Sequence, residues 1–245
     1  MTRRPYIRCR ALEKRFGPKP VLRGLSLDVF TGETLVVLGG SGSGKSVLLK
    51  HMNALLLPDG GEVEVDGVSL GGLDEEALVP VRRNVAMLFQ QGALFDSLTV
   101  GENVAYPLRE HRVTPPTGVD ARVGEVLAMV DLAGTERLMP AELSGGMRKR
   151  AALARALVLE PRALLYDEPT TGLDPVVAAK INHLIRDVQR RLGITSVVVT
   201  HDLGSAFFVA DRIAFLHEGR IRFAGAPDEA RRSTDPFLHE FLNAA

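Results

Sequence analysis

Cysteine is almost missing. Cys9 stands alone in 245 residues, which excludes an internal disulfide, and no group of Cys and His with zinc-ligand spacing accompanies it. That usage fits a reducing compartment. Net charge is missing as well. The 30 Lys and Arg balance 30 Asp and Glu, so the chain lacks the overall basic field that supplies non-specific affinity for nucleic acid, and no nucleic-acid partner is expected. Long hydrophobic runs are absent: charge-free stretches such as Asn84 to Phe95 fall well short of the ~20 apolar residues that cross a bilayer. Behind the basic opening, Ile7-Arg8-Cys9-Arg10 leaves no room for a signal-peptide core. If the protein serves a membrane, a partner must cross it. No repeat or low-complexity tract is found. What remains is 45% hydrophobic and 24% charged, the composition of an ordinary globular chain with enough residues for its own core.

Short apolar runs alternate with longer helical patterns, the βαβ signal of an α/β protein with a largely parallel sheet. Thr34–Leu38, Val85–Phe89, Ala163–Tyr166 and Thr195–Val199 read as core strands. Ile7–Phe16 and Val21–Val29 alternate more loosely, and Gly61–Val68 alternates with period two, which predicts a small antiparallel sheet to one side. Arg212–His217 and Arg220–Phe223 flank Glu218-Gly219 as a hairpin, before a short final helix. From Leu98 to Leu159 no strand is read; Val119–Val130 and Ser144–Val158 carry apolar residues at three- and four-residue spacing. This predicts a helical insert in an α/β core, entered through a loop from Arg112 to Gly118.

Gly39-Gly40-Ser41-Gly42-Ser43-Gly44-Lys45-Ser46 matches Gly-x4-Gly-Lys-[Ser/Thr] in its required context, after a strand and before a helix through Leu48, Leu49 and Met52. Such a loop turns backbone N–H groups toward phosphate oxygens at a helix N-terminus whose partial charge favours anions. Lys45 is expected to reach the β and γ phosphates of a nucleotide, and Ser46 to ligate Mg²⁺. Val47 stands where many such loops carry a second hydroxyl. Leu164-Leu165-Tyr166-Asp167-Glu168 is an apolar strand ending in two carboxylates that point different ways. Asp167 is assigned to the metal and Glu168 to the attacking water as general base. His201 follows Val197–Val199, again at a strand's C-terminal end, where open parallel sheets bind ligands. Its expected partners are the γ-phosphate and the Glu168 region.

Leu143-Ser144-Gly145-Gly146-Met147-Arg148-Lys149-Arg150 opens a helix with Ser144 as N-cap. Set between the phosphate loop and Asp167-Glu168, it resembles the signature of ATP-binding cassette (ABC) ATPases, and the resemblance covers nearly the whole chain. It implies a P-loop NTPase (RecA-like) core over residues 1–92 and 160–245 with an N-terminal antiparallel β subdomain, and an inserted α-helical subdomain over 93–159. Phe16 matches the aromatic that stacks on adenine, Gln90 the Q-loop glutamine that joins the catalytic and Mg²⁺ sites, Asp174 in Gly172-Leu173-Asp174-Pro175 the D-loop, and His201 the switch histidine. In this family two subunits face head to tail, so Ser144, Gly145 and Gly146 of one chain are implied to complete the ATP site of the other. A P-loop kinase would leave the signature and His201 without a role.

Met147 replaces the usual Gln. With Gly44–His51 and Met87–Val104, it resembles the branch serving MCE-protein lipid transporters of the Mla or toluene-tolerance type, although Gln91 stands where that branch has a smaller residue. The resemblance implies ATP and Mg²⁺ as cofactors, a homodimer, permease subunits, an MCE-domain protein, a STAS-domain protein, and a place on the cytoplasmic face of the bacterial inner membrane. The alternative is an ABC switch of the cell-division type, or another ABC substrate. Ala93, Leu94, Phe95, Leu98 and Val104 either transmit the ATP state to the permease or fill the boundary between core and insert. Arg82, Arg83, Arg148, Lys149, Arg150 and Arg155 are expected to form mostly a solvated face. Phe237, Leu238, Phe241 and Leu242 share one side of the final helix and are expected to dock on the core.

Overall fold

The computed structural model describes residues 4–112 and 115–243. The chain opens with strands β1 (Pro5–Phe16), β2 (Lys19–Phe30) and β3 (Thr34–Leu38), helix α1 (Lys45–Met52), strands β4 (Gly60–Val65) and β5 (Val68–Ser69), helix α2 (Glu75–Asn84) and strand β6 (Val85–Leu88). Helices α3 (Val100–Glu110), α4 (Pro116–Met129) and α5 (Gly145–Leu157) follow with no strand between them among the described residues. Then come β7 (Ala163–Asp167), α6 (Pro175–Leu192), β8 (Thr195–Thr200), α7 (Leu203–Val209), β9 (Arg212–His217), β10 (Arg220–Gly225), α8 (Pro227–Arg231) and α9 (Pro236–Asn243).

The central sheet has six strands in the order β10-β9-β3-β8-β7-β6, all parallel except the edge strand β10. β3, β7 and β8 are buried at every residue, the polar Thr34, Asp167, Thr195, Ser196 and Thr200 included, as strands of a sheet covered on both faces are. Alternate side chains serve opposite cores. Val36 and Leu38 join α3–α7 and α9 on one face; Leu35 and Val37 join α1 and a four-stranded antiparallel sheet, β2-β1-β4-β5, on the other. Pairing of Leu38 with Thr200 and of Asp167 with Val199 brings the C-terminal ends of β3, β7 and β8 level. The loop after β3, Glu168 and His201 therefore share one edge.

Two expectations need correction. Gly61–Val68 is not one strand: Asp66 (φ +48°) and Gly67 (φ +84°) turn the chain, and β4 and β5 form a tight hairpin. The expected loop from Arg112 to Gly118 is shorter, because α4 already begins at Pro116, whose fixed φ suits a first helical turn; Val113 and Thr114 lie outside the described residues. Helix α3 was read only as an apolar stretch. A capping box starts it: Thr99 Oγ1 accepts from Glu102 N at 3.2 Å, and Glu102 Oε2 accepts from Thr99 N at 2.8 Å. Buried Asn103 then accepts from Phe95 N and donates to the carbonyls of Phe95, Leu98 and Thr99, folding that segment onto α3. Leu94 packs on the core and Val104 is buried within it, whereas Phe95 stays exposed against Tyr106. Among the described residues no helix is long and apolar enough to cross a membrane.

Candidate nucleotide site

The loop between β3 and α1 approaches β9 closely. A Cβ built at Gly39 would lie 2.4 Å from the carbonyl oxygen of Leu216 and 2.8 Å from Ser43 Oγ, so only glycine fits. Gly44, at φ +107°, occupies the N-cap of α1 and supplies no side-chain cap, leaving the first-turn N–H groups directed at the loop. Lys45 folds back under the loop. Its buried Nζ donates to Gly39 O at 2.8 Å and Gly40 O at 3.1 Å, and lies 3.5 Å from Glu168 Oε1. Ser46 Oγ donates to Asp167 Oδ1 at 2.7 Å, across β3 and β7. Burial pushes the Asp167 carboxyl above its ordinary range; the bond from Ser46 opposes that, and the neighbouring charge of Glu168 adds to it.

Glu168 follows β7 at φ +49°, a left-handed conformation held by its own N–H donating to Val199 O at 3.0 Å. Its carboxylate accepts from Thr171 Oγ1 at 3.1 Å and meets His201 Nδ1 at 3.0 Å through the same oxygen. His201 is largely exposed and Glu168 nearly buried, so the imidazole stands between the carboxylate and the open cleft. A proton acceptor, a charge that reaches the phosphate loop and a hydroxyl–carboxylate pair are thus brought to one edge of the sheet.

A cleft of about 840 Å³ lies over this set. Phe16, Gly40, Ser41, Gly42, Gly44, Lys45, Ser46, Val47, Gln90, Glu168 and His201 line it, brought together from the expected set. Gly39 and Ser43 lie in the loop's base, and Asp167 stands behind Ser46. Ser144, Gly145, Gly146 and Asp174 are not brought to the cleft of their own chain. Ser144 caps α5 by accepting from Met147 N, and Asp174 caps α6 by accepting from Val176 N and Val177 N. Gly146 has a reason within the chain: a Cβ there would lie 2.5 Å from Val177 Cγ1, so any side chain at this position would force Val177 to shift where α5 meets α6.

Two lining residues were not expected, Val21 of β2 and Phe241 of α9. The docking of α9 follows the spacing for three of the four residues: Leu238 is fully buried and Phe241 and Leu242 pack on the core, whereas Phe237 stays exposed, its ring stacked on His217 with centroids 4.4 Å apart. Asp235 secures its start, accepting from Phe237 N and Leu238 N on one oxygen and from the Arg222 guanidinium on the other. Phe241 then lies 5.3 Å from Phe215, centroid to centroid, and reaches the cleft. The basic residues of α5 need a correction. Lys149 is only 7% exposed and Arg155 is half-buried, both turned inward onto the segment after β6. The signal was present: Lys149 lies three residues after Gly146 and four before Leu153, on the buried face of α5.

The parallel sheet, the glycine loop at a helix N-terminus and the acidic strand end define a P-loop nucleoside triphosphatase. The sequence profile of the family described as ABC transporter matches residues 22–171. The chain is 40% identical to the probable ribonucleotide transport ATP-binding protein mkl of Mycobacterium leprae, over 97% of this chain and 68% of that one. It is 39% identical to MlaF, the intermembrane phospholipid transport system ATP-binding protein of Escherichia coli K12, over 93% and 84%. Among solved structures, the dimeric ATP-binding cassette MJ0796 in a post-hydrolysis state with ADP and Pi superimposes with a TM-score of 0.82 at 33% identity, covering 90% of this chain and 98% of that one. The chain belongs to the ABC transporter family, as its ATP-hydrolysing subunit.

Proposed function

We propose that this ATPase drives movement of phospholipid between membranes, as part of an MCE-type system. The observation that carries the substrate class is the similarity to MlaF across 84% of that protein. The Met147 signature and the Met87–Val104 segment add support. The name of the mycobacterial relative offers a ribonucleotide as the rival cargo, at nearly equal identity. The reading includes two copies of the chain facing each other, permease subunits in the membrane, an MCE-domain protein and a STAS-domain protein, with the ATPase held at the cytoplasmic face of a bacterial inner membrane through the permease. It also takes residues 1–92 and 160–245 as the core with its β subdomain and 93–159 as the helical subdomain.

In the catalytic reading, Lys45 and the backbone N–H groups of residues 39–46 bind the β and γ phosphates of ATP, and Phe16 stacks on the adenine. Ser46, Asp167 and Gln90 offer hard oxygen donors, with the hydroxyl and carboxylate already 2.7 Å apart, a set suited to Mg²⁺ shared with phosphate oxygens. When bound, the ion supplies positive charge against the developing charge on the phosphates. Glu168 takes the proton of the attacking water, and His201, 3.0 Å from it, orients that carboxylate toward the γ-phosphate. Ser144, Gly145 and Gly146 at the start of α5, together with Asp174, belong to the surface offered to the second copy. Their exposed or small side chains and the partial positive charge of a helix start suit a phosphate arriving from outside the chain.

The substrate class is tested by purifying the chain with the membrane proteins that accompany it and identifying bound small molecules by mass spectrometry. Stoichiometric phospholipid is expected. A ribonucleotide other than the hydrolysed ATP, with no lipid, would transfer the assignment to the rival cargo.

A further inference from the structure

Lys149 has no place in the phosphate chemistry described above, yet its charge is buried without a carboxylate ion pair within 4 Å among the described residues. Burying an ammonium is expensive unless its donors are used. Here they go to two backbone carbonyls. Lys149 Nζ donates to Gln90 O in a close hydrogen bond and to Glu168 O at 3.5 Å. Burial pulls the ammonium below its ordinary range, and the nearby carboxylates of Asp167 and Glu168 work against that.

These acceptors belong to the two segments on which the reaction depends. Gln90 sends its side chain into the cleft while its carbonyl points away to α5. Glu168 adopts a left-handed backbone that disfavours any residue with a Cβ, so whatever holds its carbonyl helps to hold the carboxylate. Arg155, six residues along α5, continues the grip: its guanidinium donates to Gly92 O and Ala93 O, both at 2.9 Å. The segment from Gln90 to Ala93 is thereby hung on the inner face of α5 by two cations. Lys149 is one turn from Ser144, Gly145 and Gly146, so its anchor moves with the start of that helix.

We propose that Lys149 is a positioning residue for ATP hydrolysis: its buried ammonium ties the backbones of Gln90 and Glu168 to α5, so that the seating of the helix start and the placement of the base change together. The inference rests on the reading of Glu168 as the base. Its consequence is specific. Loss of Lys149 disorders the alignment of the base and the glutamine while leaving the phosphate loop, more than a hundred residues away in sequence and held by its own contacts, able to bind ATP.

The test uses the full-length chain with its membrane partners. Lys149→Met keeps the volume and removes the donors; Lys149→Arg keeps charge and donors. The Met variant is expected to lose at least tenfold in kcat with ATP affinity within threefold of the parent, and the Arg variant to recover to within threefold of parental kcat. A Met variant whose kcat stays within twofold of the parent overturns the proposal. So does parallel loss of ATP affinity, or a folded Arg variant as impaired as the Met one, since either marks a purely structural role. Should Lys149→Met not fold, Lys149→Leu, which also lacks a donor, decides by the same criteria. Glu168→Gln run alongside separates the levels: if it retains turnover, the base assignment and this inference fall together, and if it is inactive while Lys149→Met is active, only the inference falls.

Discussion

Replacing Gly39 by Ala tests whether the phosphate loop is shaped by contact with β9. The added Cβ would meet Leu216 O at 2.4 Å, which is 0.6 Å inside the 3.0 Å limit that real Cβ contacts respect. Its backbone φ lies outside the left-handed region, so the cost is steric alone. The carbonyl is part of a paired strand and cannot swing aside, and Ser43 Oγ closes the other direction at 2.8 Å. Overpacking of this kind costs about 1–3 kcal/mol. For a chain of this size each kcal/mol lowers Tm by about 2–4 °C, so a fall of about 2–12 °C is expected. The loop must shift to admit the methyl group, and ATP affinity should fall at least tenfold with it, because Lys45 Nζ takes its position from Gly39 O and Gly40 O. Gly40→Ala is the matched control: nothing lies within 4 Å of its Cβ, and its Tm should stay within about 2 °C of the parent, the shift expected for a change below about 0.5 kcal/mol. Calorimetry and equilibrium binding of a fluorescent ATP analogue read both effects. Equal melting temperatures for the two variants would refute the steric argument.

Three further outcomes follow from the same geometry. Glu168→Gln should bind ATP with affinity close to the parent and lose about 10²-fold or more in turnover, the usual contribution of a general base; single-turnover hydrolysis measures it, and activity within threefold of the parent removes Glu168 from that role. Lys45→Ala should weaken ATP binding itself, measured by the same analogue, because the lost ammonium is the charge held beneath the loop; unchanged affinity contradicts its phosphate role. Leu238→Ala should cost about 2–5 kcal/mol of unfolding free energy by denaturant titration, since the side chain is fully buried under α9, whereas a loss below about 0.5 kcal/mol would mean that α9 does not dock.

The strands of the central sheet were legible because both of its faces are covered, which leaves apolar runs at residues 35–38 and 197–199. The phosphate loop, Asp167-Glu168 and His201 were legible for a related reason: each follows one of those strands, so placing the strands placed the edge. Elsewhere local pattern misled. Alternation in Gly61–Val68 runs through Asp66-Gly67 without a break, and the turn is written only in that dipeptide. Helix α3 was announced by Thr99 and Glu102, a capping signal outweighed by the apolar residues around it. Lys149 and Arg155 show the limit of reading charge as exposure, because a long aliphatic stem lets a cation reach buried carbonyls from an inward face. Phe241 is a different case. Its spacing shows that α9 docks, but its approach to a loop two hundred residues earlier depends on the packing of α9 against β9, which no local pattern contains.

The most direct test of the account is ATP turnover by the complex purified with its membrane partners, measured in detergent and again after addition of phospholipid or of ribonucleotides other than ATP. Turnover should depend on Glu168 and change severalfold with phospholipid but not with the ribonucleotides. Turnover indifferent to phospholipid, in a complex that also carries none, would contradict the transport reading and favour a nucleotide-timed assembly switch.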